Sequence, residues 1–209
     1  MDGSRGVPVS DGLGRNLSLS DAVFAIAMTL LVIDVTLPPG TTSENLGTQL
    51  ASLGGSYFAY VLSFFVIGRF WLVHHRAFRR IQTYDDRFLI LNLLFLMFIA
   101  FLPFPTSVLG HYGDSSAAAV TYAIAVCLTS ATWGICWRYA TGKAALVPTQ
   151  LKSRINRTIT IANLGSTGLF VVSIPVALAS PMAAEIMWVL GFLFIRLLVG
   201  RLTKHTRGG

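Results

Sequence analysis

The sequence predicts an all-α integral membrane protein of six transmembrane helices with both termini cytoplasmic. Three observations predict it. Of its 209 residues, 54% are hydrophobic and only 12% are charged, and the mean hydropathy of +0.66 is that of a chain that puts apolar surface against lipid. The apolar residues gather into six runs of about the 20 residues that a helix needs to cross a bilayer. The Lys and Arg residues between those runs fall in alternate connections.

In chain order, Met1 to Gly14 contains Gly, Ser and Asp and is expected to be a flexible N-terminal segment. No cleavable signal peptide is expected, because the apolar core begins late, contains Asp21 and lacks a small-residue cleavage site. The six-helix domain then occupies 15–203. Its first helix spans about 16–37 and stops at Pro38-Pro39-Gly40. A polar linker leads to a second helix at about 51–73, followed by the basic stretch HHRAFRR. The third, about 88–109, contains LPFPT, whose prolines bend or terminate it by removing backbone donors. The fourth spans about 117–138, the fifth about 158–179 with Pro175 near its end, and the sixth about 182–202; residues 204–209 form a C-terminal tail.

Charge orients these helices. Arg76, Arg79, Arg80 and Arg87 lie between the second and third, Lys143, Lys152, Arg154 and Arg157 between the fourth and fifth, and Arg201, Lys204 and Arg207 after the sixth. The other connections carry only Glu44, Asp114 and Glu185 as charged residues. The positive-inside rule then places both termini in the cytoplasm, Asp21 toward that side and Asp34 toward the outside. The net charge of +7 is accounted for by orientation, so no nucleic-acid partner is expected. Cys127 and Cys136 share one run, nine residues apart on opposite helical faces, and point to neither disulfide nor zinc.

The first helix organises the chain. Asp21 and Asp34 bracket an apolar stretch, and an intramembrane carboxylate must face protein or a water-filled path. Ile26, Leu30 and Ile33 at i, i+4 and i+7 form one stripe of about 10 Å along the axis. Two readings of that stripe are open: ordinary core, or the lining of a narrow cation pore. Val32 lies off the stripe by helical angle and is expected to act through packing.

Depth relates residues that are distant in sequence. Arg15, Ser20, Asp21, Trp71, His74 and Asn92 all approach the cytoplasmic level and are expected to form one polar network around the Asp21 carboxylate. That network fastens helices together or, with Asp21 and His74, relays protons. His74-His75 as a metal pair is disfavoured, since adjacent helix positions diverge. Gly54, Gly55, Gly68, Gly165 and Gly168 are expected as close-packing positions, Trp133, Trp137, Tyr139 and Trp188 as interfacial anchors, and Arg69 and Arg196 as snorkelling or paired at the cytoplasmic boundary.

Arg15, Ser20 and Asp21 in RNLSLSD resemble the R-x-x-x-F-S-D signature that opens the first helix of the transmembrane protein 175 family of potassium channels, with Leu19 where that family usually has Phe. Tyr60, Ser63, Phe64, Trp71, His74 and His75 in YVLSFFVIGRFWLVHH, and Asn92 followed by Leu102-Pro103-Phe104, resemble its second and third helices. The resemblance covers about the first 110 residues by motif and the whole chain by layout. It implies a tetramer whose first helices surround a central pore, with Ile26, Leu30 and Ile33 as the hydrophobic constriction and a selectivity-linked threonine at Thr29. TVGYG is absent, so selectivity must come from pore width, partial dehydration and side-chain oxygens. Asp34 would attract cations at the outer mouth.

The expected function is a voltage-independent, potassium-permeable leak channel of a bacterial plasma membrane, other monovalent cations being possible permeants, with membrane lipid as its surroundings, no cofactor, no metal and no enzymatic chemistry. The alternative is a proton-coupled secondary transporter using Asp21 and His74, disfavoured by the lack of an inverted repeat.

Overall fold

A computed structural model describes residues 9–142, 146–147 and 152–204, and side chains at 12–142, 146, 147, 159, 160, 163–191 and 194. Its described residues form eight helices and no strand: α1 Val9–Leu30, α2 Leu46–Ser52, α3 Gly54–Phe78, α4 Asp86–Phe101, α5 Pro103–His111, α6 Ser116–Thr141, α7 Lys152–Ala179 and α8 Pro181–Lys204.

α1 starts earlier and ends earlier than the hydropathy suggests. Residues 9–14, expected as flexible, are helical, and Leu13 and Leu17 pack against the core; residues 1–8 lie outside the described residues. After Leu30 the backbone tightens into i→i+3 turns, with Ile33 N–H on Leu30 O at 3.1 Å and Val35 N–H on Val32 O at 3.1 Å. The apolar stretch that reads as one span to residue 37 is therefore divided between a helix and a turn. Pro38-Pro39-Gly40-Thr41 closes it: Thr41 N–H bonds Pro38 O at 3.3 Å, and Gly40 at φ 83 supplies the left-handed position that a proline-led type II turn requires.

α3 runs five residues past the expected end, so the basic stretch after residue 73 begins helical. Asp85 starts α4 as its N-cap, accepting from Phe88 N–H at 2.9 Å. Near Leu102 the helix is interrupted, as LPFPT predicts: Pro103 and Pro105 have no N–H to give to the carbonyls four residues back, and α5 restarts with Pro103 in its first turn. Among the described residues, three helical stretches are long and apolar enough to cross a membrane: Gly54–Phe78, Asp86–His111 counted through its break, and Ser116–Thr141. Asn163–Ala179 and Pro181–Gly191 are shorter apolar stretches.

α6 is the hub, packed against α4, α5 and α7; α8 lies mainly on α7, while α1 rests on α3 and α4, and α3 on α5. Alanines 118, 119, 123, 125 and 140 are buried on α6 and let its neighbours approach. Three of the four expected aromatic anchors prove to be core: Trp133, Trp137 and Trp188 are buried, Trp188 against Tyr122 and Phe170 with centroids at 5.1 and 5.6 Å, while Tyr139 is half-buried and donates to Asp85. Among the expected close-packing glycines, Gly55 meets a neighbour, since a methyl there would sit 3.0 Å from the Gly110 carbonyl oxygen; Gly54, Gly68 and Gly168 face open space, and Gly165 is exposed. Arg69 donates to Ser166 of α7; the Arg196 side chain lies outside the described residues.

Candidate functional site

α1 has two faces. Ser20, Phe24, Ala27 and Leu31, at i, i+4, i+7 and i+11, are buried against the rest of the chain. The opposite face carries Leu19, Thr29, Ile26 at 58% exposure and Leu30 at 39%, and beyond the helix end Ile33 at 62%. The apolar stripe is thus not part of the core. Val32, expected to pack, is 52% exposed, while Leu31 at 2% is the packed neighbour. Leu31 continues the buried stripe of Ser20, Phe24 and Ala27, and one residue further on Val32 is turned by about 100° away from it.

Thr29 is exposed beside the stripe, and its hydroxyl donates to Ile26 O at 2.9 Å. With the proton committed to its own helix, the Oγ1 lone pairs remain as outward acceptors. Asp34 is half-buried and lines a small pocket with Ser56, Tyr60, Thr106 and His111, between the end of α1, the start of α3 and α5.

The expected single network divides into two. Trp71 Nε1–H donates to Asp21 Oδ1 at 2.8 Å. Separately, buried His74 Nε2–H donates to Asn92 Oδ1 at 3.0 Å, and Asn92 Nδ2 donates to Ser20 Oγ and Asn16 Oδ1, both at 3.2 Å. Ser20 in turn donates to Asn16 O at 2.9 Å. Arg15, expected here, is exposed, and Asn16 takes its place; one residue along a helix turns a side chain by about 100°. The His74 ring sits among Phe24, Phe78, Phe95 and Trp133, stacked on Phe78 with centroids at 4.1 Å, and its Nδ1 has no partner among the described residues.

A third polar group has no counterpart among the sequence-derived candidates as a cluster. Thr106 Oγ1 donates to Ser63 Oγ at 2.8 Å, and Ser63 donates to Tyr122 OH at 3.0 Å, tying α5, α3 and α6 together in the core. Isolated hydroxyl residues in apolar runs are its only sequence signal. Cys127 and Cys136 are free thiols on α6, half-buried and buried respectively. Among the described residues no three His, Cys, Asp or Glu side chains gather into a metal-binding group.

The profile of the family described as endosomal/lysosomal potassium channel TMEM175 matches residues 15–103. A potassium channel of Streptomyces collinus is 34% identical over 178 residues, which cover 80% of this chain and 86% of that protein. The chain belongs to the TMEM175 family. The crystal structure of a lysosomal potassium-selective channel TMEM175 homolog from Chamaesiphon minutus superposes with a TM-score of 0.77 at 30% identity, covering 90% of this chain and 98% of that one. The endosomal/lysosomal proton channel TMEM175 of Homo sapiens is 24% identical over 159 residues, 76% of this chain but 31% of the human protein. The TMEM175 match begins at Arg15 and includes Asp21, Trp71, His74 and Asn92, so the polar groups that join α1 to α3 and α4 fall within the family's matched region.

Proposed function

We propose that this chain is a potassium-permeable leak channel of a bacterial plasma membrane, acting as a homotetramer of six-span subunits with both termini cytoplasmic. The observation that carries this reading is the outward face of α1: Ile26, Leu30 and Ile33 stand exposed, opposite the stripe that packs into the subunit. Four copies meeting on an axis would turn such a face into stacked apolar rings, which disfavour hydrated ions and close a path by dewetting. Thr29 offers oxygen lone pairs at that level, and Asp34 supplies negative potential at the outer end. The names of the Streptomyces and Chamaesiphon relatives support potassium as the permeant ion.

In this reading Ser20, Asp21, Trp71, His74 and Asn92 position α1 rather than contact the ion. Each of Asp21 and His74 is engaged by a different partner, on α3 and α4 respectively, which favours fastening over a relay between them. Proton permeation is a second reading, favoured by the name of the human relative.

Single-channel recording of protein reconstituted in phosphatidylcholine bilayers tests the proposal. Unitary potassium currents independent of voltage are expected. Proton-coupled transport at carrier rates, without unitary events, would overturn it.

A further inference from the structure

One face of α3 is unlike the rest of the helix surface. Val61, Phe65 and Leu72 are exposed, Gly68 has open space where a side chain would stand, and Arg76 and Arg79 are exposed above them. These positions, at i, i+4, i+7, i+11, i+15 and i+18, lie on a single helical face. The face is therefore an apolar strip with a notch at Gly68, crowned by guanidinium groups where the span ends at Phe78.

Among the described residues no acid is paired with the crown. Arg80 donates to the Arg76 carbonyl oxygen at 2.6 Å, one of the acceptors that a helix end leaves open. Partial burial first, and then the charges of Arg76 and Arg79, hold the Arg80 guanidinium below its usual range. Asp85, an acid close in sequence, is committed to Phe88 N–H and the Tyr139 hydroxyl.

We propose that Arg76, Arg79 and Arg80 bind the phosphate of an anionic phospholipid headgroup, whose acyl chain lies along Leu72, Gly68, Phe65 and Val61. Guanidinium forks match phosphate oxygens in pairs, and basic clusters just beyond a membrane span attract anionic lipid. The continuous apolar strip below the arginines favours a lipid over a free phosphate, because it gives the chain a place that inorganic phosphate cannot use. The inference rests on the reading that α3 crosses a membrane.

Native mass spectrometry of the full chain tests it, with dioleoyl phosphatidylglycerol, dioleoyl phosphatidylcholine or inorganic phosphate added. Retention of phosphatidylglycerol is expected, with binding weaker by on the order of a hundredfold in R76Q/R79Q/R80Q and about fivefold in R76Q alone. The single variant changes one exposed side chain and keeps the test informative if the triple variant fails to fold. Gly68→Leu should weaken phosphatidylglycerol by filling the notch. Equal retention by the arginine variants overturns the proposal; so does equal binding of inorganic phosphate, which marks a free-anion site, or dissociation of the oligomer on changing the strip, which marks a subunit contact. Absence of potassium current would count against the channel reading alone and leave this lipid site standing.

Discussion

The Trp71 indole donates to Asp21 Oδ1 at 2.8 Å across the α1–α3 contact, so the signature acid of the first helix is held by a neutral donor rather than a cation. Arg15, six residues before it, is exposed and takes no part. A carboxylate held by one neutral hydrogen bond depends on that donor more than one locked in a salt bridge does.

Trp71→Phe is therefore expected to destabilise the protein by about 1.5–3 kcal/mol, the range for hydrogen bonds to charged groups. Asp21→Asn, which keeps an oxygen acceptor for the indole, should cost less. Thermal unfolding followed by size-exclusion chromatography compares the two. An Asp21→Asn protein that is normally stable and assembled but does not conduct would move the acid from scaffold to transport.

His74 allows a sharper separation. Its ring is buried among four aromatic side chains, so His74→Phe preserves much of the packing while losing the bond to Asn92. Asn92→Ala leaves the buried imidazole without its partner, at about 1–3 kcal/mol for a buried group left unsatisfied, while Ser20 keeps its bond to the Asn16 carbonyl. We expect potassium flux to survive in His74→Phe and stability to fall further in Asn92→Ala. Loss of flux in a well-folded His74→Phe protein would support proton relay instead.

For the constriction, Ile26→Ala and Leu30→Ser should raise current and weaken discrimination against sodium. Leu31→Ala is the packing control, expected to cost about 2–5 kcal/mol as a buried large-to-small change, with selectivity unaltered. Val32, half-exposed, cannot serve that purpose. Liposome flux normalised to folded oligomer is the measurement, and unchanged current and ion preference in both stripe variants would remove α1 from the pore.

At the loop before α4, the Tyr139 hydroxyl at 2.5 Å and then the Phe88 amide hold the Asp85 carboxyl below its usual range. A folded pKa below the unfolded value, about 3.9, means that the stabilisation is present above that value and is lost as pH falls through the lower folded one. Tyr139→Phe should therefore be less stable than wild type at pH 7, with the gap closing as the medium is acidified through this window. Unfolding midpoints across a pH series check it; a gap independent of pH would assign the loss to packing.

Orientation is tested by single cysteines on a Cys127→Ala, Cys136→Ala background. Those at 40–48 and 111–115 should react with an impermeant thiol reagent added outside intact cells, and those near 80 and 150 should not. The alternation of basic connections is the basis. Outside labelling near 80 or 150 would reverse the topology.

The helical class, the break at LPFPT, the stripe of Ile26, Leu30 and Ile33, and the family resemblance through RNLSLSD and the residues around Trp71 and His74 are legible in the residues alone. These are local properties: a proline removes a donor wherever it stands, and helical spacing groups side chains by face. Tertiary structure decided which face was which. It turned the α1 stripe outward by burying Phe24, Ala27 and Leu31, put Asn16 rather than Arg15 beside Asn92, and buried Trp133 and Trp188 where span-end positions suggested an interface. Periodicity fixes angles within a helix but not the rotation of that helix against its neighbours. A polar partner on another helix depends on that rotation and on depth, which only the packed bundle supplies.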